Sequence, residues 1–364
     1  MPMSARAPRL RLLLSGLAIL ALTGTAAACG KAEDTGGGSS DSSAAQQVVE
    51  PADQNGAQCD LTQYGGGVKK LDLKDATVGF SQSEKEDNPF RIAETKSIGD
   101  AAKKAGVKKY IHTNAQTQLS KQISDIQDML AQGVDALIVA PLNSDGLEPA
   151  LNAAKAKGVP VLTVDRKLTS GACDTYVSFL GSNFTEQGQR AADQLIKGTG
   201  GKAKVAILLG ASGNNVTTER TKGFVDEIKA KGSGIDIVAQ QTGEFARDKG
   251  QQVTEQLLQS NPDITAIYAE NDEMGLGALA AIQGSGKQAG KDVQIYSVDG
   301  TRNAVQEIVN GDYNGVVESN PRFGPLAFQT LEQFLSGEKV YENIVIKDTE
   351  YDPDNAEDGL SSAF

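Results

Sequence analysis

The chain has 364 residues, with 35 Lys+Arg against 47 Asp+Glu and a formal net charge of −12. That acidic balance excludes a nucleic-acid binder, whose affinity comes largely from basic side chains neutralising phosphates. A single His and three Cys exclude a multi-histidine metal centre, a cysteine-rich metal protein and a disulfide-dense miniprotein, so neither a metal nor a cofactor is expected.

The first 28 residues read as a secretory signal. Arg6, Arg9 and Arg11 lead into an apolar run from Leu12 to Leu22, and Ala26, Ala27 and Ala28 precede Cys29, the charged, apolar and small-residue succession of a cleaved leader. The apolar run is too short for a span of about 20 residues. A cysteine directly after the small residues resembles the lipobox of bacterial lipoproteins, in which the thiol takes up a diacylglycerol and becomes the new N-terminus. The alternative is ordinary cleavage after Ala28, leaving a free thiol. Residues 29–74 are expected as a lipidated Cys and flexible tether. Between Gly30 and Gln58, Gly, Ser, Asp, Ala and Gln dominate and no apolar periodicity survives. With Cys29 consumed by lipid, Cys59 and Cys173 remain in an oxidising compartment, where a disulfide between them is favoured over two free thiols.

From Ala76 onward short β-branched runs alternate with helical stretches. Thr77–Phe80 precedes a helix from about Arg91 to Lys104, and Lys109–Ile111 precedes a second whose Leu119, Ile123, Ile126 and Leu130 fall at helical spacing. Ala136–Val139 leads to a third helix, Leu147 to Lys157, closed by Gly158 and followed by the strand Val161–Val164. The same grammar restarts after residue 185. Strands are expected at Val205–Leu209, Ile235–Val238, Ile264–Tyr268 and Val293–Val298, with helices near Glu186–Ile196, Thr218–Ala230, Arg247–Leu258 and Glu273–Ile282. The later pieces Gly315–Glu318, Gly324–Leu335 and Asn343–Ile346 are too small for a third domain and return across an interface. The fold class is therefore α/β: two similar doubly wound parallel-sheet domains joined by a three-strand hinge. The expected lobes are residues 75–182 plus 319–345 and residues 183–318 plus 346–364.

In open parallel sheets ligands sit beyond the carboxyl ends of the strands. Those places hold Asn88, Phe90 and Arg91, then Asp165 and Arg166, and in the second half Arg220, Phe245, Asn271 and Asp299. Carboxylates, guanidiniums and carboxamides each engage neighbouring hydroxyls of a sugar, and an aromatic ring suits its C–H face.

Six segments in this order and spacing resemble the periplasmic sugar-binding proteins of the ribose-binding type, which feed ABC importers. They are Asp87–Arg91, Gln132–Pro141, Val164–Arg166, Glu219–Phe224, Ala269–Met274 and Val298–Gly300. The resemblance covers roughly residues 76 to 350. Within the family, Gly79–Gln82, Arg91–Thr95, Gly243–Phe245 and Val317–Glu318 look like segments of the galactofuranose binders. The resemblance implies the type I periplasmic binding protein fold and ligand contacts from Asn88, Phe90, Arg91, Asp165, Arg166, Arg220, Phe245, Asn271, Asp299 and Glu318. Further implications are an extracytoplasmic monomer anchored to the outer face of a bacterial membrane and a partner ABC permease; a sugar sensor facing a membrane receptor is the rival. Arg91, Arg166 and Arg220 against Asp165, Asp299 and Glu318 make a formally neutral site, hence a neutral monosaccharide.

An enzyme is not expected, because three arginines beside the candidate carboxylates keep them ionised and suit hydrogen bonding better than proton donation. Gly284–Lys291 fails as a phosphate loop: the glycine spacing is one residue too long, and Asp292 stands where Ser or Thr would bind Mg²⁺. His112 has no second His or free Cys to pair with and reads as structural or solvent-facing.

Overall fold

The computed structural model describes residues 51–65 and 67–364. The signal segment, Cys29 and the Gly/Ser-rich run lie outside the described residues.

Local chemistry sets the element boundaries. Asn88 accepts a hydrogen bond from Arg91 N at 2.9 Å, Pro89 supplies the first helical residue, and Gly106 at φ 69° ends the helix; this is an Asn cap, Pro start and left-handed Gly stop. The described chain opens with β1 (Pro51–Cys59) and a 3-10 turn at Leu73–Asp75. It continues through β2 (Thr77–Gln82), α1 (Pro89–Ala105), β3 (Lys109–Asn114), α2 (Leu119–Ala131), β4 (Ala136–Val139), α3 (Glu148–Ala156), β5 (Val161–Val164) and β6 (Ser178–Gly181). A second series runs α4 (Phe184–Gly198), β7 (Ala203–Leu209), α5 (Asn215–Lys231), β8 (Ile235–Thr242), α6 (Arg247–Ser260), β9 (Ala266–Ala269), α7 (Asp272–Gly284), β10 (Gln294–Asp299), α8 (Arg302–Asn310) and β11 (Gly315–Glu318). Then come α9 (Gly324–Ser336), β12 (Val340–Ile346), β13 (Glu350–Tyr351) and α10 (Ala356–Gly359).

Two sheets result, one of seven strands in the order β1-β12-β6-β5-β4-β2-β3 and one of six in the order β13-β11-β10-β9-β7-β8. All pairings are parallel except those of β1 with β12 and β13 with β11. The central strands of both sheets are buried on both faces, as Ala136–Val139 and Ala266–Ala269 illustrate, which is why they read as continuous apolar runs rather than alternating ones. The chain passes between the sheets at 182–183, 319–323 and 347–349.

Residues 51–74 correct the tether expectation, because Pro51–Cys59 is a strand. Parallel pairing with β6 leaves the outer edge of β12 unpaired, and β1 covers it in antiparallel register from Pro51 to Cys59. An edge strand of this kind satisfies backbone groups while its own side chains stay in water, so it carries no hydrophobic pattern. The strand ends at a disulfide between Cys59 and Cys173, whose Cα atoms lie 5.2 Å apart.

One packing contact bears directly on function. A Cβ on Gly188 would stand 2.3 Å from the Arg220 carbonyl oxygen, and one on Gly223 would stand 2.0 Å from that of Thr185. Only glycine lets α4 and α5 approach so closely, and that approach brings Gln187 within reach of Arg220.

Candidate functional site

The carboxyl ends of the strands of both sheets face each other across a cleft. Glu84 follows β2, Asp165 and Arg166 follow β5, Phe245 follows β8, Asn271 follows β9, and Asp299 ends β10. Together with Asn88, Phe90, Arg91, Val216 and Arg220 they enclose a cavity of about 350 Å³, counted with its opening to solvent. The lobes touch directly beside it: Ser144 N donates to Gly213 O at 2.9 Å, Asn215 N to Ser144 Oγ at 3.1 Å, and Lys167 N to Asn215 Oδ1 at 2.9 Å.

Nine of the ten residues expected at the site line this cavity. Glu318 does not. Its carboxylate accepts hydrogen bonds from Thr349 N at 2.9 Å, Thr349 Oγ1 at 2.6 Å and Asn320 Nδ2 at 3.2 Å, so it ties two of the segments that cross between the sheets. In its place stands Glu84, which the sequence reading missed.

Arg91 is the hub of the first lobe. Its Nε lies 3.1 Å from Glu84 Oε2, and its Nη1 lies 2.8 Å from both Glu94 Oε2 and Asp165 Oδ2. Arg166 donates from Nη2 to Glu84 and from Nη1 to the carbonyls of Pro141 and Leu142, while its buried Nε has no hydrogen-bond partner. Burial alone would raise the pKa of Glu84, but the guanidiniums of Arg166 and Arg91 outweigh it and hold the carboxyl at about 2. Glu94, behind Arg91, is pushed upward by burial despite that arginine.

In the second lobe Arg220 donates from Nε to Gln187 Oε1 at 2.9 Å and from Nη1 to the Glu270 carbonyl, and its Nη1 lies 3.8 Å from Asp299 Oδ1. Burial raises Asp299 well above the ordinary carboxylate range, with Arg220 opposing and Asp272 and Asp165 adding to the rise. Phe245 lies with its ring centroid 5.9 Å from the Arg166 guanidinium. Phe90 packs edge-on against Phe364 with ring centroids 6.1 Å apart.

Asn271 caps α7, accepting from Met274 N at 3.0 Å and donating to Phe245 O at 3.2 Å. Its amide is thereby committed to positioning Phe245. Asn88 spends its Oδ1 on the α1 cap, leaving its Nδ2 as the donor available to the cavity.

Backbone conformation aims three of these side chains. Asp165, Phe245 and Asp299 have φ values of 64°, 61° and 144°, which for residues other than glycine are uncommon and concentrate at functional sites. The Asp299 turn is held by Asp272, whose Oδ2 accepts from Gly300 N at 3.0 Å and from Thr301 N at 2.7 Å.

The cavity's formal charge survives the exchange of one acid for another. Arg91, Arg166 and Arg220 stand against Glu84, Asp165 and Asp299. Glu94 stands behind Arg91 and is not part of the lining. Unpaired donors, acceptors and two aromatic rings in a formally neutral cleft are complementary to a small neutral polyol.

Among the described residues no group of three His, Cys, Asp or Glu side chains is placed to hold a metal ion. His112 stacks on Phe80 at 5.5 Å and places Nε2 3.2 Å from Glu86. Among the described residues no helix is long and apolar enough to cross a membrane.

Residues 78–339 match the family model described as a periplasmic binding protein domain. The ribose import binding protein of Bacillus subtilis (strain 168) is 39% identical over 272 residues, covering 74% of this chain and 85% of that protein. The galactofuranose-binding protein of Escherichia coli (strain K12) is 34% identical over 289 residues, covering 78% of this chain and 90% of that protein. A crystal structure from Mycobacterium smegmatis in complex with β-D-fucofuranose superposes with a TM-score of 0.75 at 36% identity, covering 78% of this chain and 94% of that one.

Proposed function

The chain belongs to the periplasmic binding protein family, and from that premise and the chemistry of its cleft we propose that it captures a neutral monosaccharide outside the cytoplasm and delivers it to an ABC import permease. Galactofuranose is the first candidate, followed by galactose, arabinose and ribose. The observation that carries this reading is the convergence of Arg91, Asp165, Arg166, Arg220 and Asp299, all at most 4% exposed, on one cavity between two sheets. Arg166 Nε, which makes no hydrogen bond although it lies 3.8 Å from Asp165 Oδ2, supplies a buried donor for a ligand oxygen, where an unmet hydrogen bond would cost about 1–3 kcal/mol.

Capture works by closure. A sugar held by Arg91 and Asp165 from one lobe and by Arg220 and Asp299 from the other binds the closed form better than the open one, and this differential affinity shifts the population. Binding in the micromolar range corresponds to about −8 kcal/mol, within reach of several charge-assisted hydrogen bonds after ordering costs. The relatives that bind ribose, galactofuranose or fucofuranose by name support a furanose-sized ligand. The paired state of Asp165 and the arginine-bridged state of Glu84 support binding rather than acid–base turnover.

Calorimetry against galactofuranose, galactose, arabinose, ribose, uronic acids and sugar phosphates is the test. The expected outcome is tight binding of one neutral sugar; preference for an anionic sugar, or for none, would overturn the reading. Anchoring through a lipid on Cys29 belongs to the same proposal. Cys29→Ala should abolish partition into the detergent phase, and a variant that partitions like the parent would reject the anchor.

A further inference from the structure

Next to the inner cavity the cleft widens into a second chamber of about 1740 Å³, counted with its mouth to solvent. The two spaces share Glu84, Asn88, Arg166 and Phe245 in their linings, so they adjoin at these four side chains. The lobe-to-lobe hydrogen bonds of Ser144 with Gly213 and Asn215 lie beside this chamber, where Asn143 and Ser212 form part of its wall. The cleft is therefore in contact across its lobes and still open toward one side.

The sizes of the two spaces differ in kind. Counted alike with their openings, the inner space is about 350 Å³ and the outer one about 1740 Å³, so the outer chamber has room for a second ring that the inner cavity lacks. Its wall is wet chemistry with apolar patches. Lys85, Asp87, Asn143, Ser212 and Asp248 line it, and among the described residues their side chains make no hydrogen bond or ion pair. The other charges largely cancel in place: Arg247 Nη2 lies 2.7 Å from Glu273 Oε1, and Lys249 pairs with Glu244. Four basic side chains face five acidic ones across the chamber, which gives no surplus of cation for a phosphate or carboxylate. Leu119, Leu142 and the Phe245 ring offer apolar surface of the kind that takes the C–H face of a sugar.

We propose that the ligands of this protein include short neutral glycosides, in which a terminal sugar occupies the inner cavity and a second neutral sugar, glycosidically linked to it, occupies the outer chamber. The inference rests on the reading of the inner cavity as a monosaccharide site. On this proposal closure around the terminal ring does not require the anomeric or a distal hydroxyl to be free, because the side of the cavity bounded by Glu84, Asn88, Arg166 and Phe245 adjoins a chamber. The unpartnered amide, hydroxyl, ammonium and carboxylate groups supply both donors and acceptors to the second ring.

The test is calorimetric titration of the full chain with free galactofuranose, arabinose and ribose, with their methyl α- and β-glycosides, and with galactofuranosyl and arabinofuranosyl disaccharides. At least one disaccharide should bind within tenfold of the best free sugar. Ser212→Trp, at an exposed position on the wall of the outer chamber, should weaken that disaccharide at least tenfold more than the free sugar. Free sugar bound with every glycoside weaker by more than tenfold overturns the glycoside inference alone. Equal weakening of both ligands by Ser212→Trp overturns it as well. Binding of no sugar at all refutes the monosaccharide reading, and the inference falls with it.

Discussion

Replacing Glu84 by Gln removes a negative charge from between two buried guanidiniums while keeping the shape of the side chain. Glu84 accepts from Arg91 Nε at 3.1 Å and from Arg166 Nη2, and these arginines overcome the upward pull of burial to bring its pKa from 4.5 to about 2. At about 1.4 kcal/mol per pKa unit, that depression corresponds to about 3 kcal/mol of stability at neutral pH. Because the folded pKa is lowered, the stabilisation is complete above the unfolded value of 4.5 and is lost as the pH falls toward 2. Glutamine still accepts from one arginine, so the loss on substitution should be about 1–3 kcal/mol. Urea denaturation of parent and Glu84→Gln, at pH 7 and at about pH 3.5, measures it; the gap between them should narrow at the lower pH as the parent loses its advantage. The substitution also takes the lining charge from zero to +1, so calorimetry should show a uronic acid gaining at least tenfold relative to a neutral sugar, worth about 1.4 kcal/mol. Equal midpoints at pH 7 together with an unchanged ranking of neutral and acidic sugars would refute the electrostatic account of the site.

Asp348, where the chain crosses between the sheets, accepts from Gln187 Nε2 at 2.8 Å, and burial pushes its pKa up to about 7. A raised carboxyl holds a proton in the folded state that the unfolded state releases, so stability falls as the pH rises from about 4 to 7. Asp348→Asn should therefore flatten the decline in thermal midpoint between about pH 5 and pH 8, and parallel profiles for parent and variant would reject this. The disulfide closes a sequence separation of 114 residues, for which chain entropy gives about 4–5 kcal/mol. Cys59→Ser should lower the denaturation midpoint by a corresponding amount, and reducing the parent should reproduce the shift; a variant as stable as the parent would show that β1 is held by its pairing with β12 alone.

The parts of the fold legible in the sequence are those whose pattern follows from burial. β4, β5 and β9 are buried on both faces, so each is a short run of apolar residues, and α2 shows its spacing because it packs one face. β1 was illegible for the converse reason. Eight of its nine residues are exposed, and what holds it is backbone pairing with β12, to which no side-chain pattern corresponds. The short strand β6 follows a loop tied by the disulfide and is itself only four residues long, too brief for periodicity to speak. α8 is a nine-residue helix opened by the Thr301 cap and stopped by Gly311 at φ 82°, signals present in the sequence but crowded by the neighbouring strand end.

The site divides along the same line. Residues immediately after strands were found because strand ends define the cleft, and Asp165, Arg166 and Asp299 needed no more than that. Glu84 also follows a strand, yet it sits in the polar run Ser83–Asn88, where nothing local separates it from Lys85, Glu86 or Asp87; only its distances to Arg91 and Arg166 do so. Gln187 is hidden more deeply. It stands within α4 as one polar residue among several, and its role arises from a partner on α5 and another beyond β12. Gln187 accepts from Arg220 Nε at 2.9 Å and donates to Asp348 Oδ2 at 2.8 Å and Glu318 O at 3.2 Å. One amide thus joins a guanidinium of the cleft to two of the segments that cross between the lobes. Glu318 was expected at the ligand because the resemblance implied it, and its segment crosses between the sheets close beside the cleft. The distinction between them is made by direction: Asp299 is turned toward the cavity by its φ of 144° and by the Asp272 hydrogen bonds to the following residues, while Glu318, its register partner on β11, reaches Thr349 instead.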